Sequence, residues 1–169
     1  AMAFAAQNDS RRAWELMDLI NPLNHGRDLQ DVAVYKAEPY VVAADVYGVA
    51  PHTGRGGWTW YTGSAGWFYR LMLESLLGLS REANNLRINP CLPESWNTYS
   101  INYRFGSTRY RIVVTQLPAA ADASGNKMKL DGMELEPPCI PLVDDQREHQ
   151  VDIFLQHKEH NAALARTIP

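Results

Sequence analysis

Between Asn84 and Pro93 the spacing of the apolar residues changes. Before that stretch they recur at helical intervals, and after it they alternate with polar residues. A chain that changes period once must bury two kinds of surface, the stripe of a helix and one side of a sheet. The pattern therefore predicts an α+β chain: helices over 1–83, a small antiparallel β-sandwich over 84–156 and a solvated tail over 157–169. No internal repeat is visible.

In the helical part, Met2–Ala6 reads as the end of one helix. Asn8-Asp9-Ser10 supplies capping chemistry for the next, Arg11–Ile20, where Trp14, Met17 and Ile20 keep one face and Asn21-Pro22 stops it. The stretch from Gly26 to Lys36 is weakly patterned. Pro39 suits the first turn of a helix running through Tyr40–Tyr47 and closed by Gly48. Ser64–Leu79 is the strongest helical segment, and its apolar residues surround it instead of forming one stripe, so it demands burial on nearly all sides.

In the second part, Tyr99, Ile101, Tyr103 and Phe105 alternate with polar residues. Gly106-Ser107 makes a turn, and Tyr110, Ile112 and Val114 alternate with arginines. This predicts a hairpin with Tyr103, Phe105, Ile112 and Val114 buried. Asp131-Gly132, between Met128-Lys-Leu130 and Met133-Glu-Leu135, is the dipeptide that best accepts the positive φ of a two-residue hairpin turn. Val151, Ile153 and Leu155 add a further strand, for five or six in all, and Ala119–Gly125 reads as a loop.

A composition of 46% hydrophobic and 21% charged residues is that of a globular chain, and a formal net charge of −3 offers no field for binding nucleic acid. No apolar run reaches the roughly 20 residues that span a bilayer, and no signal-peptide pattern opens the chain, so a cytoplasmic location is expected. Ala1 before Met2 has the look of a cloning remnant. Cys91 and Cys139 fit neither a disulfide framework nor a zinc clip. His157 and His160, three apart in a charged tail, read as solvated, and no metal site is expected.

Chemistry concentrates in Gly54-Arg-Gly-Gly-Trp-Thr-Trp-Tyr-Thr-Gly-Ser-Ala-Gly-Trp67, which runs straight into the strongest helix. Thr62, Gly63 and Ser64 then fall at a helix N-terminus, where unpaired amides and the positive end of the helix dipole favour an anion. A phosphate or sulfate there is one reading; a plain helix cap at Thr62 or Ser64 is the other. Trp58, Trp60 and Tyr61 offer flat faces suited to a pyranose ring, with core packing as the alternative; Trp67, inside the helix, fits packing better. Glu38 stands either at a helix start or against a substrate, and Asp45 reads as structural.

Five segments together, Asn21-Pro-Leu-Asn-His25, Tyr35–Tyr40, Asp45-Val-Tyr-Gly48, Gly54–Trp67 and Ile88–Pro93 with Trp96, resemble the C-terminal third of glycoside hydrolase family 94. That family holds cellobiose and chitobiose phosphorylases and the C-terminal portion of cyclic β-1,2-glucan synthase. The Gly-Arg-Gly-Gly-Trp-Thr-Trp-Tyr-Thr-Gly-Ser version and Asp45-Val-Tyr47 look closer to the synthase branch, and the similarity covers about residues 1–156. The resemblance implies an (α/α)₆ toroid followed by a two-sheet β-domain, with phosphate beside Thr62 and Gly63.

It also implies what to expect of the reaction. The general-acid aspartate, the arginines and the histidine that complete such a site lie upstream of residue 1 in the family pattern. None of these roles passes to His25, Asp31, Asp45 or His52. The chain is thus expected to be a C-terminal fragment of a β-glucan phosphorylase or cyclic β-1,2-glucan synthase-like enzyme, contributing one wall of the phosphate and sugar site and inactive alone. Inorganic phosphate would be its co-substrate, with no other cofactor. A β-glucan or glucoside, the missing toroid chain and a second copy of itself are the expected partners. The alternative is a non-catalytic carbohydrate-binding or partner-interaction module.

Overall fold

The computed structural model describes residues 1–118, 125–136 and 139–156, and the chain divides into two compact units, 1–76 and 77–169. The tail from His157 and most of the Ala119–Gly125 loop lie outside the described residues.

In the first unit α1 spans Met2–Ala6 and α2 spans Ser10–Ile20. The Asp9 carboxylate caps α2 by accepting from the Arg12 amide at 3.1 Å, and Ala13 and Met17 form its buried stripe. Asn21 ends α2 and caps the 3₁₀ turn Pro22–His25. Helix α3, Leu29–Tyr35, forms where the apolar pattern was weak, because its ends are well marked. Asp28 accepts from the amides of Gln30 and Asp31 at 2.8 Å each, and Lys36 closes the helix in the left-handed conformation.

Two expected helices are corrected. No helix forms over Tyr40–Tyr47; the segment leaves a turn at Pro39-Tyr40, and its later part pairs with 54–58 through a bridge between Val46 and Gly56. Adjacent Val41 and Val42 favour extended backbone, and the Asp45 side chain bonds the Trp58 amide at 3.1 Å, an acceptor's alternative to helix that aspartate commonly takes. The strongest helical segment also starts and ends early. Helix α4 covers Thr62–Arg70, a π-helical turn continues over Leu71–Leu76, and Leu79 already belongs to a strand. Only Leu71 and Leu76 of this segment are buried, and Trp67 is 60% exposed. The all-round burial expected for this helix, and the packed Trp67, are not what the chain shows.

Among its described residues the second unit carries eight strands, more than the five or six expected: β1 Leu79–Glu82, β2 Asn85–Ile88, β3 Thr98–Phe105, β4 Thr108–Leu117, β5 Lys127–Leu130, β6 Met133–Leu135, β7 Cys139–Pro141 and β8 Glu148–Gln156. Strand pairing thus begins at Leu79, ahead of the expected change at Asn84, because Ala83 takes a positive φ and lets β1 turn directly into β2. The strands form two sheets, β1-β2-β7 and β3-β4-β8-β5-β6. Leu86, Ile88 and Ile140 of the first meet Tyr110, Ile112, Val114, Met128, Val151 and Ile153 of the second in one buried core. Cys91 and Cys139 are both thiols.

Not every pair is antiparallel: β4 and β8 run parallel over nine registered positions, Arg109↔Glu148 to Leu117↔Gln156. Ile112 and Val114 are fully buried as expected, whereas Tyr103 and Phe105 are half-buried because β3 is an edge strand. Asp131 and Gly132 form the β5–β6 turn with φ of 51° and 83°, the two positive values a type I′ hairpin requires.

The turn that carries Asp131 is held by a histidine. His149 on β8 sits under the Tyr110 ring, centroids 5.0 Å apart, with Nδ1 2.6 Å from Asp131 and Nε2 3.3 Å from Asp145. The hydrogen bond to Asp131 holds the His149 pKa above the ordinary histidine value, and the same bond holds Asp131 below the ordinary aspartate value. A raised histidine stabilises the fold fully below its unfolded pKa of about 6.5, and that stabilisation is lost as pH rises through the folded value. A lowered aspartate stabilises above about pH 4 and loses it on acidification. We expect the guanidinium midpoint of the β-unit to be highest between those limits and to fall on going to pH 8. His149→Asn should flatten that alkaline limb, and an unchanged limb would show that the clamp contributes nothing.

Candidate functional site

In the first unit the extended segment at 44–47 and the glycine-rich segment at 54–58 fold against each other as a short ribbon. Ala44 donates to Trp58 O at 2.8 Å, Gly57 to Asp45 O at 2.9 Å, Tyr47 to Arg55 O at 2.9 Å and Gly54 to Tyr47 O at 2.8 Å. Gly56 is tied to α3 through its amide and Tyr35 O, 2.8 Å apart. Gly57 has no room for a side chain: a Cβ there would stand 2.3 Å from Asp45 Oδ2. The paired glycines let the ribbon close over Tyr35 and Asp45, and Asp45 serves as the clamp of the loop.

Closing the ribbon forces its aromatic residues outward. Trp58 is 70% exposed, Trp60 66% and Tyr61 50%. Trp60 adopts φ of +64°, a left-handed conformation that costs a bulky residue on the order of 1–3 kcal/mol. Its indole is fixed by two neighbours. Nε1 donates to Glu38 Oε1 at 3.2 Å, and the Tyr40 ring meets it edge-on with centroids 6.0 Å apart. Trp58 and Tyr61 form a second edge-on pair at 6.1 Å. Glu38 is therefore engaged with Trp60 and stands at no helix start. Tyr40, expected in a helix, belongs with this group; a tyrosine directly after Pro39 was the only sequence signal for it.

The ribbon leads directly into α4. Tyr61 holds the N-cap position without a side-chain hydrogen bond, so neither the hydroxyl of Thr62 nor that of Ser64 caps the helix. The amides of Thr62, Gly63 and Ser64, its first three residues, have no acceptor within the helix, and the first intrahelical bond is Ala65 N to Tyr61 O at 3.2 Å. Thr62 and Gly63 are exposed, and a Cβ on Gly63 would meet no atom within 4 Å. Beside this turn lies a hollow of ≈ 500 Å³, lined mostly by apolar residues, with Ser64 and Trp67 contributed by α4 and Ile20 and Val42 opposite. On the next turn Arg70 lies over the Trp67 ring at 5.1 Å and pairs with Glu74 at 2.8 Å, which holds the Arg70 pKa above its ordinary value through that hydrogen bond.

The site thus joins an open row of three amides at a helix start to a fence of fixed, exposed aromatic rings. Among the described residues no group of three His, Cys, Asp or Glu is arranged to hold a metal, and no helix is long and apolar enough to cross a membrane.

Comparison with known proteins agrees with the family resemblance. Residues 1–78 match the model of the glycosyl hydrolase 94 superfamily catalytic domain, and residues 79–119 match the C-terminal domain of glycosyl hydrolase family 65. The chain is 47% identical over 115 residues to the cyclic beta-(1,2)-glucan synthase NdvB of Rhizobium meliloti (strain 1021), covering 68% of this chain and 4% of that protein. It is 31% identical over 145 residues to the N,N'-diacetylchitobiose phosphorylase of Vibrio furnissii, covering 85% of this chain and 17% of that protein. The solabiose phosphorylase of Paenibacillus borealis is 27% identical over 117 residues, 69% of this chain and 15% of its own length. The chain therefore spans less than a fifth of these relatives. With its catalytic-domain segment followed by a family 65 type C-terminal segment, and with cyclic β-glucan synthase and disaccharide phosphorylases as its relatives, the chain belongs to the glycoside hydrolase 94 family.

Proposed function

We propose that this chain contributes one wall of the phosphate and sugar site of a β-glucan phosphorylase or cyclic β-1,2-glucan synthase-like enzyme. The observation that carries the reading is the open amide row of Thr62, Gly63 and Ser64 at the start of α4, next to the exposed rings of Trp58, Trp60 and Tyr61. In this reading the helices of the first unit are the last of an (α/α)₆ toroid. Phosphate sits on the three amides, where its charge is favoured by the helix dipole. A glucosyl unit lies against the tryptophan faces, with Glu38 holding Trp60 in place. In the assembled reaction, phosphate attacks the anomeric carbon of a β-glucoside while a carboxylic acid from another part of the enzyme protonates the leaving oxygen.

The 169-residue chain alone performs no such reaction. General acid catalysis supplies about a hundredfold to ten-thousandfold in rate, and the chain's own carboxylates near the loop are engaged: Asp45 with the Trp58 amide and Glu38 with the Trp60 indole. Incubation with cellobiose, chitobiose or β-1,2-glucan and phosphate should release no sugar 1-phosphate. Measurable release by pure protein would overturn this part of the reading.

Phosphate binding tests the site itself. Amide shifts at Thr62, Gly63 and Ser64 should saturate with a Kd of about 1 mM, near −4 kcal/mol. Gly63→Val places a side chain over the amides without meeting any protein atom, so it should weaken this binding at least tenfold while leaving the melting temperature within a degree or two. Phosphate shifts that survive Gly63→Val unchanged would place the anion elsewhere.

A carbohydrate-binding module without catalysis is the second reading, favoured by the exposure of Trp58 and Trp60. Both readings expect β-glucan to quench tryptophan fluorescence and Trp58→Ala with Trp60→Ala to abolish the response. They part on phosphate: an effect of phosphate on glucan affinity belongs to the first reading alone. Finally, Leu19 (64% exposed), Tyr69 (64%) and Trp67 leave apolar surface on the first unit that solvent does not favour. Self-association about a two-fold axis is expected, and light scattering of a clean monomer at micromolar concentration would refute it.

A further inference from the structure

The outward face of the five-stranded sheet carries a cluster of arginines. Near the hairpin turn the residues facing away from the core are Arg109 and Arg111 on β4 and Asn102 and Arg104 on β3. The register sets Arg104 directly opposite Arg109 and Asn102 opposite Arg111, while β8 sets Glu148 beside Arg109 on the other flank. All five line one hollow of ≈ 390 Å³ at the hairpin end of the sheet.

Two arginines directly opposite each other in an antiparallel pair repel and destabilise the sheet. Such a pair is ordinarily relieved by carboxylates that bridge it. Among the described residues, however, Arg104, Arg109 and Arg111 form no ion pair and no side-chain hydrogen bond, and Glu148 forms none with them. Several other exposed arginines are paired with a carboxylate, as Arg70 is with Glu74, Arg87 with Glu82 and Arg11 with Glu15. Three unrelieved guanidinium groups around one hollow are a local cost of the kind that functional sites carry.

We infer that this hollow binds the dianion of a phosphate monoester, and specifically a hexose phosphate. Three guanidinium groups against one carboxylate leave an excess matched by a doubly charged anion, and the planar fork of arginine fits phosphate oxygens two at a time. Glu148 and Asn102 supply the acceptor and the mixed donor–acceptor amide that sugar hydroxyls require. Free inorganic phosphate shares the charge and lacks those hydroxyls. This site lies wholly in the second unit, whereas the proposed phosphate turn at Thr62 belongs to the first.

The test is titration of the full chain with glucose 6-phosphate, inorganic phosphate and glucose at constant ionic strength, followed through backbone amide shifts. Saturable shifts at Arg104, Arg109 and Arg111 are expected with glucose 6-phosphate, several-fold tighter than with inorganic phosphate and absent with glucose. Arg109→Gln with Arg111→Gln should weaken them at least tenfold. Because that change removes like-charge repulsion, the variant should melt at or above the parent's temperature; if it fails to fold, Arg104→Gln is read instead, with the same expected loss. Gly63→Val should leave these shifts intact even where it removes those at Thr62. Equal binding of inorganic phosphate and glucose 6-phosphate would overturn the hexose assignment. Non-saturating shifts, or shifts indifferent to both arginine changes, would overturn the site.

Discussion

Strand β4 sets the terms for the β-unit, because its alternate residues answer to opposite demands. Thr108, Tyr110, Ile112 and Val114 face inward and are 0–1% exposed, and each is committed to the core or to a loop. The Tyr110 hydroxyl accepts from the Val143 amide at 2.8 Å, and the Thr108 hydroxyl accepts from the amides of Asp145 and Gln146 at 2.8 Å each. Those bonds pin the segment between β7 and β8 to the start of β4. The pinning delivers β8 alongside β4 in the parallel direction, and the remaining strands add to that pair. A buried hydroxyl left without such partners would cost about 1–3 kcal/mol, so the register of the parallel pair is strongly fixed.

The same logic, an acceptor side chain holding a loop, recurs in the helical unit on a smaller scale. Asp45 occupies the space that glycine vacates at position 57 and binds the amide of Trp58. One carboxylate thereby converts a flexible glycine run into a ribbon that aims two tryptophans and a tyrosine at solvent. Exposing that much aromatic surface is unfavourable in water, roughly 25 cal/mol per Å², which is the ordinary physical mark of a surface intended to meet something else.

Much of the β-unit was legible from periodicity because a half-buried strand writes its environment into every second residue. The alternation over Tyr99–Val114 and the Asp131-Gly132 turn translate directly into β3, β4 and the β5–β6 hairpin. The parallel direction of β8 was not legible, since Val151, Ile153 and Leu155 alternate identically in either direction. In the helical unit the ends of α2 and the turn at Asn21-Pro22 could be read from capping residues. The loop at Tyr40–Tyr47 could not, because its conformation is decided by partners 13 positions away, the Trp58 amide on the Asp45 carboxylate. The position of Thr62, Gly63 and Ser64 at the opening of α4 followed from the glycine-rich run, while the exposure of Trp67 did not follow from a helix apolar on all sides. The arginines of β3 and β4 were visible only as polar alternates; that they stand opposite one another depends on the register.

Among the described residues β3 ends its sheet, so eight residues of backbone present one unpaired row of donors and acceptors. Such a row is a template for another chain's strand. A second copy added there in antiparallel fashion would extend the sheet across a two-fold axis and lay two arginine patches on one continuous face. The charge that strains the hairpin within a single molecule thus also opposes pairing of two copies edge to edge, because it sets like charges on one shared face. Loading that face with anions would remove that opposition.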